Sequence, residues 1–167
     1  MSEVRQAKDT RTKILATALD LFHRGSFKGT SINQVVEQAG ITKGALFYYF
    51  KGKNELGYAV VDECIRQHIV EMWVEPLSTS VDPITDVSNI LKKLDTLMEE
   101  CPEIVECGCP LNNLAQEMSA QDEVFRERLL VLYGMWEKAL EKALRAGIDA
   151  GNVRPEAEPK ATAAAIV

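Results

Sequence analysis

The residues best able to do chemistry are four cysteines and two histidines in a chain of 167 residues. Three of the thiols are close in sequence: Cys101, then the run Cys107-Gly108-Cys109-Pro110. The helix dipole draws a thiol near a helix start toward the thiolate, so Cys107 and Cys109 are candidates for sensing an oxidant or an electrophile. A metal reading would take Cys101, Cys107, Cys109 and His68, but that spacing fits neither a zinc finger nor a zinc ribbon. No metal and no cofactor are expected. The plain alternative is that the thiols line a pocket as small hydrophobes. The chain lacks a Gly-rich phosphate cradle, a G-x-S-x-G elbow and paired metal spacings. No acid, base or nucleophile set converges, and no enzyme is expected.

Residues 30–53, TSINQVVEQAGITKGALFYYFKGK, carry a different chemistry. Two short helical patterns meet across Gly40, the layout of a helix-turn-helix. Ser31 is the natural N-cap of the first, and Gln34 completes an S-x-x-Q capping box. Gly40 closes that helix, because glycine reaches positive φ at least cost. Thr42 caps the second. Ile32, Val35, Val36 and Ala39 face inward from the first helix, while Ile41 and Leu46 anchor the turn and the second. Thr42, Lys43, Gly44, Ala45, Phe47 and Tyr48 are then left for a DNA major groove, where the second helix of such a motif lies. Gly44 and Ala45 admit a close approach. Tyr48, Tyr49 and Lys53 offer donors to phosphate, and the capped end at Ser31 offers N–H groups to an anion. The run FYYF could instead pack a small helical domain. Four consecutive aromatics cannot all face inward on a helix, however, and Phe50 with part of Phe47 is expected inside.

The elements that must hold these residues read as helix after helix, with no sustained alternation that would mark a strand. The first helix is expected at about 10–24, with Ile14, Leu15, Ala18, Leu21 and Phe22 as its apolar stripe and Gly25 as its stop. After the two short helices, about 32–39 and 42–48, a long one runs from about 53 to 75 and breaks at Pro76. Asp82-Pro83 reads as N-cap and first-turn proline of a helix reaching Glu100. Cys101-Pro102 stops it. Short and long helices follow at about 110–118 and 121–150. Residues 160–167 begin an apolar helix with no polar terminus, which reads either as an element that continues in a longer chain or as the end of the ordered part.

Several residues on the core faces suit a small-molecule cavity. Cys64, His68, Met98, Cys109, Asn112, Tyr133 and Trp136 are the candidate ligand-binding set, since buried polar side chains need partners that a ligand can supply.

The net charge of −6 and pI near 5.0 hide an asymmetry. Residues 1–53 hold nine Lys and Arg against four acids, a charge of +5, and the remainder carries −11. A basic segment on an acidic body is the layout expected when one part alone meets a polyanion. No apolar run approaches the roughly 20 residues that cross a bilayer, and no export signal precedes the first helix, so a cytoplasmic protein without membrane contact is expected.

Thr30-Ser31-Ile32, Ala39-Gly40-Ile41, the run from Thr42 through Phe50, and Lys53-Asn54-Glu55-Leu56 closely resemble the tetracycline-repressor (TetR) family of regulators. The most specific feature is the aromatic run ending in Phe50 with Lys53 three residues on. Phe47 departs from the pattern, which usually has Tyr there and hence a hydroxyl for phosphate or base. The resemblance implies an all-α fold: a helix-turn-helix domain, residues 1–53, and a helical ligand-binding and dimerisation domain, residues 54–167. It also implies a homodimer on double-stranded, palindromic operator DNA, most simply a repressor released by a small, mainly apolar effector. The alternatives are a thiol-sensing repressor using Cys107 and Cys109, and a helical adaptor that does not bind DNA.

Overall fold

The computed structural model describes residues 2–167, with the side chains of 8–102 and 105–167. Those residues are helical with short connections, and there is no strand among them. By packing they form two compact units, residues 1–65 with 107–129 and residues 66–106 with 130–167.

The first unit begins with α1 (Ser2–Gly25), which starts earlier than Thr10. The polar residues ahead of Thr10 include no Gly or Pro, so nothing in them stops a helix from extending. Helices α2 (Ile32–Ala39) and α3 (Lys43–Tyr49) follow. The unit is completed by the first part of α4, by α7 (Pro110–Met118) and by the start of α8 (Glu123–Asp149). Its core joins Ile14, Leu15, Ala18 and Phe22 to Val35, Ala39, Leu46, Phe50, Leu56, Leu111, Leu114 and Phe125. Rings bind it further: Phe27 meets Phe22 at 5.0 Å and Phe125 at 4.9 Å, and Tyr58 meets Phe125 at 4.8 Å. Gly57 is required by this cluster, because a Cβ there would lie 2.6 Å from both Phe125 and Phe27.

Helix α4 covers residues 53–77 as one unbroken helical run, but not as one α-helix. Its α segments Lys53–Ala59, Arg66–Ile69 and Glu75–Leu77 alternate with π turns over Val60–Ile65 and Val70–Val74. Pro76 explains the second π turn, since proline gives no N–H and its ring crowds the carbonyl four residues back. The Glu75 N–H accordingly donates to Val70 O, five residues back.

The second unit adds α5 (Pro83–Glu100), where Asp82 caps Thr85 N at 3.2 Å, and α9 (Pro159–Ile166) to the later parts of α4 and α8. Its core includes Ile69, Trp73, Leu77, Ile90, Leu132, Leu140, Leu144 and Ala163, with Trp73 and Trp136 at 4.6 Å between ring centroids. A short helix absent from the sequence expectation, α6 (Pro102–Cys107), follows α5 directly. Pro102 opens this helix as well as ending the previous one, because its fixed φ suits a first helical turn.

Candidate nucleic-acid interface

The connection of α2 to α3 is built by side chains that satisfy helix ends. Ser31 Oγ accepts from Gln34 N at 3.2 Å, and Gln34 Oε1 accepts from Ser31 N at 2.7 Å, a closed capping box. Gly40 sits at φ 60° and ψ 40°, and Ile41 N reaches back to Val36 O at 3.1 Å. Thr42 is extended at φ −83° and ψ 153°, so its Oγ1 accepts from Ala45 N at 3.1 Å and starts α3.

Helix α3 is held from beneath and open above. Leu46 is fully buried and Phe50, its C-cap, is 2% exposed. On the other side Thr42, Lys43 and Gly44 are exposed, Phe47 is 43% exposed and Tyr48 80%. Ala45 and Tyr49 are half-buried, and the Tyr49 ring meets Tyr48 edge-on at 4.9 Å. The aromatic run thus splits, with Phe50 inside and Tyr48 out. Gly44 stands out on this face. A Cβ there would meet nothing nearer than Thr42 Oγ1 at 3.9 Å, so no packing inside the chain requires glycine. Glycine in an exposed helix costs about 1 kcal/mol relative to alanine.

Cations of the basic segment are engaged internally, among them Arg24, whose Nε donates to Asp20 Oδ1 at 2.7 Å. Arg11 makes two bonds of 2.5 Å to Glu63 and lies 5.3 Å over the Phe50 ring. That pairing holds the Glu63 carboxyl below its usual range and raises Arg11. Lys53 is half-buried, donates to Lys28 O at 3.2 Å and lies 4.7 Å over Phe27. Burial lowers its pKa, and nearby Glu117 opposes that. Glu117, which no sequence motif marked, also accepts from Phe27 N at 2.8 Å and Lys28 N at 2.7 Å, fastening the loop after α1 to α7.

The candidate ligand residues divide between the units. In the first, Cys64 is half-buried and burial pushes its thiol up, while Cys109 and Asn112 are exposed. Cys109 is the N-cap of α7 without a side-chain cap bond. The half-buried Cys107 accepts at its carbonyl from Asn113 Nδ2 at 2.6 Å, and Gly108 O accepts from His23 Nε2 at 2.7 Å. In the second unit His68 and Met98 are exposed and Tyr133 and Trp136 half-buried. The Trp136 Nε1 is buried with no partner among the described residues. A groove of about 330 Å³ is lined by His68, Glu71, Met72 and Pro76 of α4 and by Ile90, Lys93, Leu94 and Leu97 of α5. Among the described residues no cluster of His, Cys, Asp or Glu could hold a metal. No helix there is long and apolar enough to cross a membrane.

Residues 14–60 match the family described as bacterial regulatory proteins, tetR family, and residues 83–167 match the tetracyclin repressor-like C-terminal domain. The HTH-type transcriptional regulator LmrA of Bacillus subtilis is 33% identical over 138 residues, spanning 82% of this chain and 72% of LmrA. A TetR transcriptional regulator from Chloroflexus aurantiacus superposes with a TM-score of 0.82 at 25% identity, over 97% of this chain and 80% of that one. FadR of Bacillus subtilis, solved in complex with stearoyl-CoA, has the same fold, with a TM-score of 0.70 at 18% identity over 93% of this chain and 80% of its own. With both family regions matched and the α2–α3 motif in place, the chain belongs to the TetR family of transcriptional regulators, all-helical proteins with an N-terminal helix-turn-helix DNA-binding domain.

Proposed function

We propose that the chain is a ligand-released repressor that binds palindromic operator DNA as a homodimer, with residues 1–53 on the DNA and residues 54–167 taking effector and partner. The observation that carries this reading is the outer face of α3. Thr42, Lys43, Gly44, Phe47 and Tyr48 are exposed together, and Gly44 leaves a gap that only an external surface would use. In a helix-turn-helix that surface is the major groove, with the first residues of the recognition helix at the base edges. Ser31, Tyr49 and Lys53 flank it as phosphate contacts, Ser31 through its helix N-terminus.

Effector binding is assigned to the helical C-terminal region, from Cys64, His68, Met98, Cys109, Asn112, Tyr133 and Trp136. The stearoyl chain of the ligand bound by FadR supports an apolar portion in the effector. About 3 kcal/mol of coupling between effector and DNA would weaken operator binding on the order of 100-fold. The test is a gel shift with DNA flanking the chain's own gene, at two salt concentrations. Steep weakening with salt is expected from phosphate contacts; no shift at either salt would favour the adaptor.

A second reading rests on the exposed Cys109, an N-cap whose side chain makes no cap bond, beside a turn whose Gly108 carbonyl accepts from His23 of α1. Thiol sensing there would survive Trp136→Ala and vanish in the Cys107→Ser, Cys109→Ser double variant, read as loss of oxidant-induced DNA release.

A further inference from the structure

We propose that Lys28 is a DNA phosphate contact and that Glu117 of α7 is the residue that positions it. The proposal rests on the operator reading above and deepens it by adding a contact and the acid that orients it.

The main chain of Lys28 is held by an acid and a base from two helices. Glu117 takes two consecutive amides with one carboxylate, Phe27 N on Oε2 at 2.8 Å and Lys28 N on Oε1 at 2.7 Å. Consecutive N–H groups turned to one side form a concavity for an anion, and here the chain supplies the anion itself. The Lys28 carbonyl accepts from Lys53 Nζ at 3.2 Å. Its N–H is thus fixed from α7 and its carbonyl from α4. The rest of the loop is equally constrained. Ser26 stands in the left-handed region at φ 67°, which a residue with a side chain keeps only when its surroundings hold it there. The Ser26 carbonyl accepts from Thr30 Oγ1 at 2.8 Å, and a Cβ on Gly29 would lie 2.4 Å from Gly25 O.

This fixing has a direction. Phe27 is buried and Lys28 is exposed, three residues before Ser31, the cap of α2. In a helix-turn-helix that first helix lies across the DNA backbone, with its N-terminal amides suited to a phosphate. A lysine at that end of α2 whose main chain is already immobile loses less freedom on meeting a phosphate than one on a loose loop. Glu117 thereby acquires an effect opposite to that of its charge. A carboxylate near DNA opposes binding by charge alone, whereas one that orients a phosphate contact favours it.

The experiment is fluorescence anisotropy of the full chain on a random-sequence duplex across a salt series. The proteins are the parent, Lys28→Ala, Glu117→Gln, Glu117→Asp, and the Lys28→Ala, Glu117→Asp double variant. Lys28→Ala should bind about fivefold more weakly near physiological salt and reduce the slope of log K against log[salt] by about 1. Glu117→Asp keeps the charge but is one methylene too short to span both amides, and should weaken binding by a similar factor. Glu117→Gln removes a negative charge and should weaken binding nonetheless. The double variant should be no weaker than Lys28→Ala, because the acid acts through that lysine. Tighter binding by Glu117→Gln, an unchanged slope in Lys28→Ala, or losses that multiply in the double variant would each overturn the assignment. Lys28→Ala alters only an exposed residue, and Glu117→Gln keeps the size of the side chain, so both arms stand even if Glu117→Asp fails to fold. A parent chain that binds no duplex at any salt refutes the operator reading itself; a parent that binds while Lys28→Ala matches it at every salt refutes this contact alone.

Discussion

Gly44 and Thr42 make opposite demands on the same turn of α3. Thr42 stabilises the fold, since its Oγ1 satisfies Ala45 N, and such a cap contributes about 1 kcal/mol. Gly44 weakens the helix and has no internal contact to justify it. Gly44→Ala is accordingly expected to stabilise the folded chain by up to about 1 kcal/mol in thermal unfolding. The same change should weaken operator binding at least tenfold, measured by anisotropy, because the added methyl stands where the groove must approach. A variant that is stabilised and binds DNA as before would remove Gly44 from the interface. Lys53 is the residue whose part the structure most enlarges. Its position after the aromatic run marked it as a phosphate contact, yet its ammonium also bonds Lys28 O and covers Phe27. These partners are distant in sequence, and no local pattern encodes them.

Helix α7 shows what a single element gains from both its ends. Its first turn follows the Gly108 carbonyl that accepts from His23, and near its last turn Glu117 takes the Phe27 and Lys28 amides. Hydrogen bonds from backbone N–H to a carboxylate are worth about 1.5–3 kcal/mol each, less here because Glu117 is only half-buried. Glu117→Ala is expected to lower the unfolding midpoint and to speed hydrogen exchange at the Phe27 and Lys28 amides, leaving that of Leu46 unchanged. Unaltered exchange at both amides would mean the loop is held by Phe27 packing alone. The local capping devices were legible in the sequence because each lies within four residues: Ser31 with Gln34, Thr42 with Ala45, Asp82 with Thr85. The π turns of α4 and the brief helix α6 were not. A π turn keeps the same residues helical and changes only the hydrogen-bond register, which side-chain periodicity does not report. Pro102 after Cys101 marks a helix stop in the sequence, and a proline at a first helical turn equally marks a start. Residue type on an apolar face does not set depth, so of the candidate ligand set His68, Met98, Cys109 and Asn112 stand exposed.

Over the whole molecule the charge split of +5 in residues 1–53 and −11 elsewhere concentrates anion affinity in one segment, although Arg11 is committed to Glu63. The same pairing gives the fold a pH dependence. Arg24 and Arg11 hold the Asp20 and Glu63 carboxyls below their ordinary range; Asp122, despite burial, is held low by Tyr58 and nearby N–H groups. Carboxylates depressed in the folded state contribute stability that is fully present above their unfolded pKa values, about 3.9 for Asp and 4.3 for Glu, and lost as pH falls through the folded values. Their contribution should be constant from pH 7 to 5 and fade below about pH 4. Glu63→Gln should therefore lower the midpoint at pH 6 and lose less on going to pH 3 than the parent chain; parallel losses would assign the acid sensitivity elsewhere. The outer face of α3 as the reader of DNA is tested most directly by anisotropy of the parent chain and Lys43→Ala on operator and random duplexes across a salt series. The parent should prefer operator by about 10³-fold or more and lose affinity steeply with salt. Lys43→Ala should lose mainly the operator preference. A parent chain that binds both duplexes equally, or a Lys43→Ala variant that keeps the full preference while weakening on both, would contradict base reading by the first turn of α3.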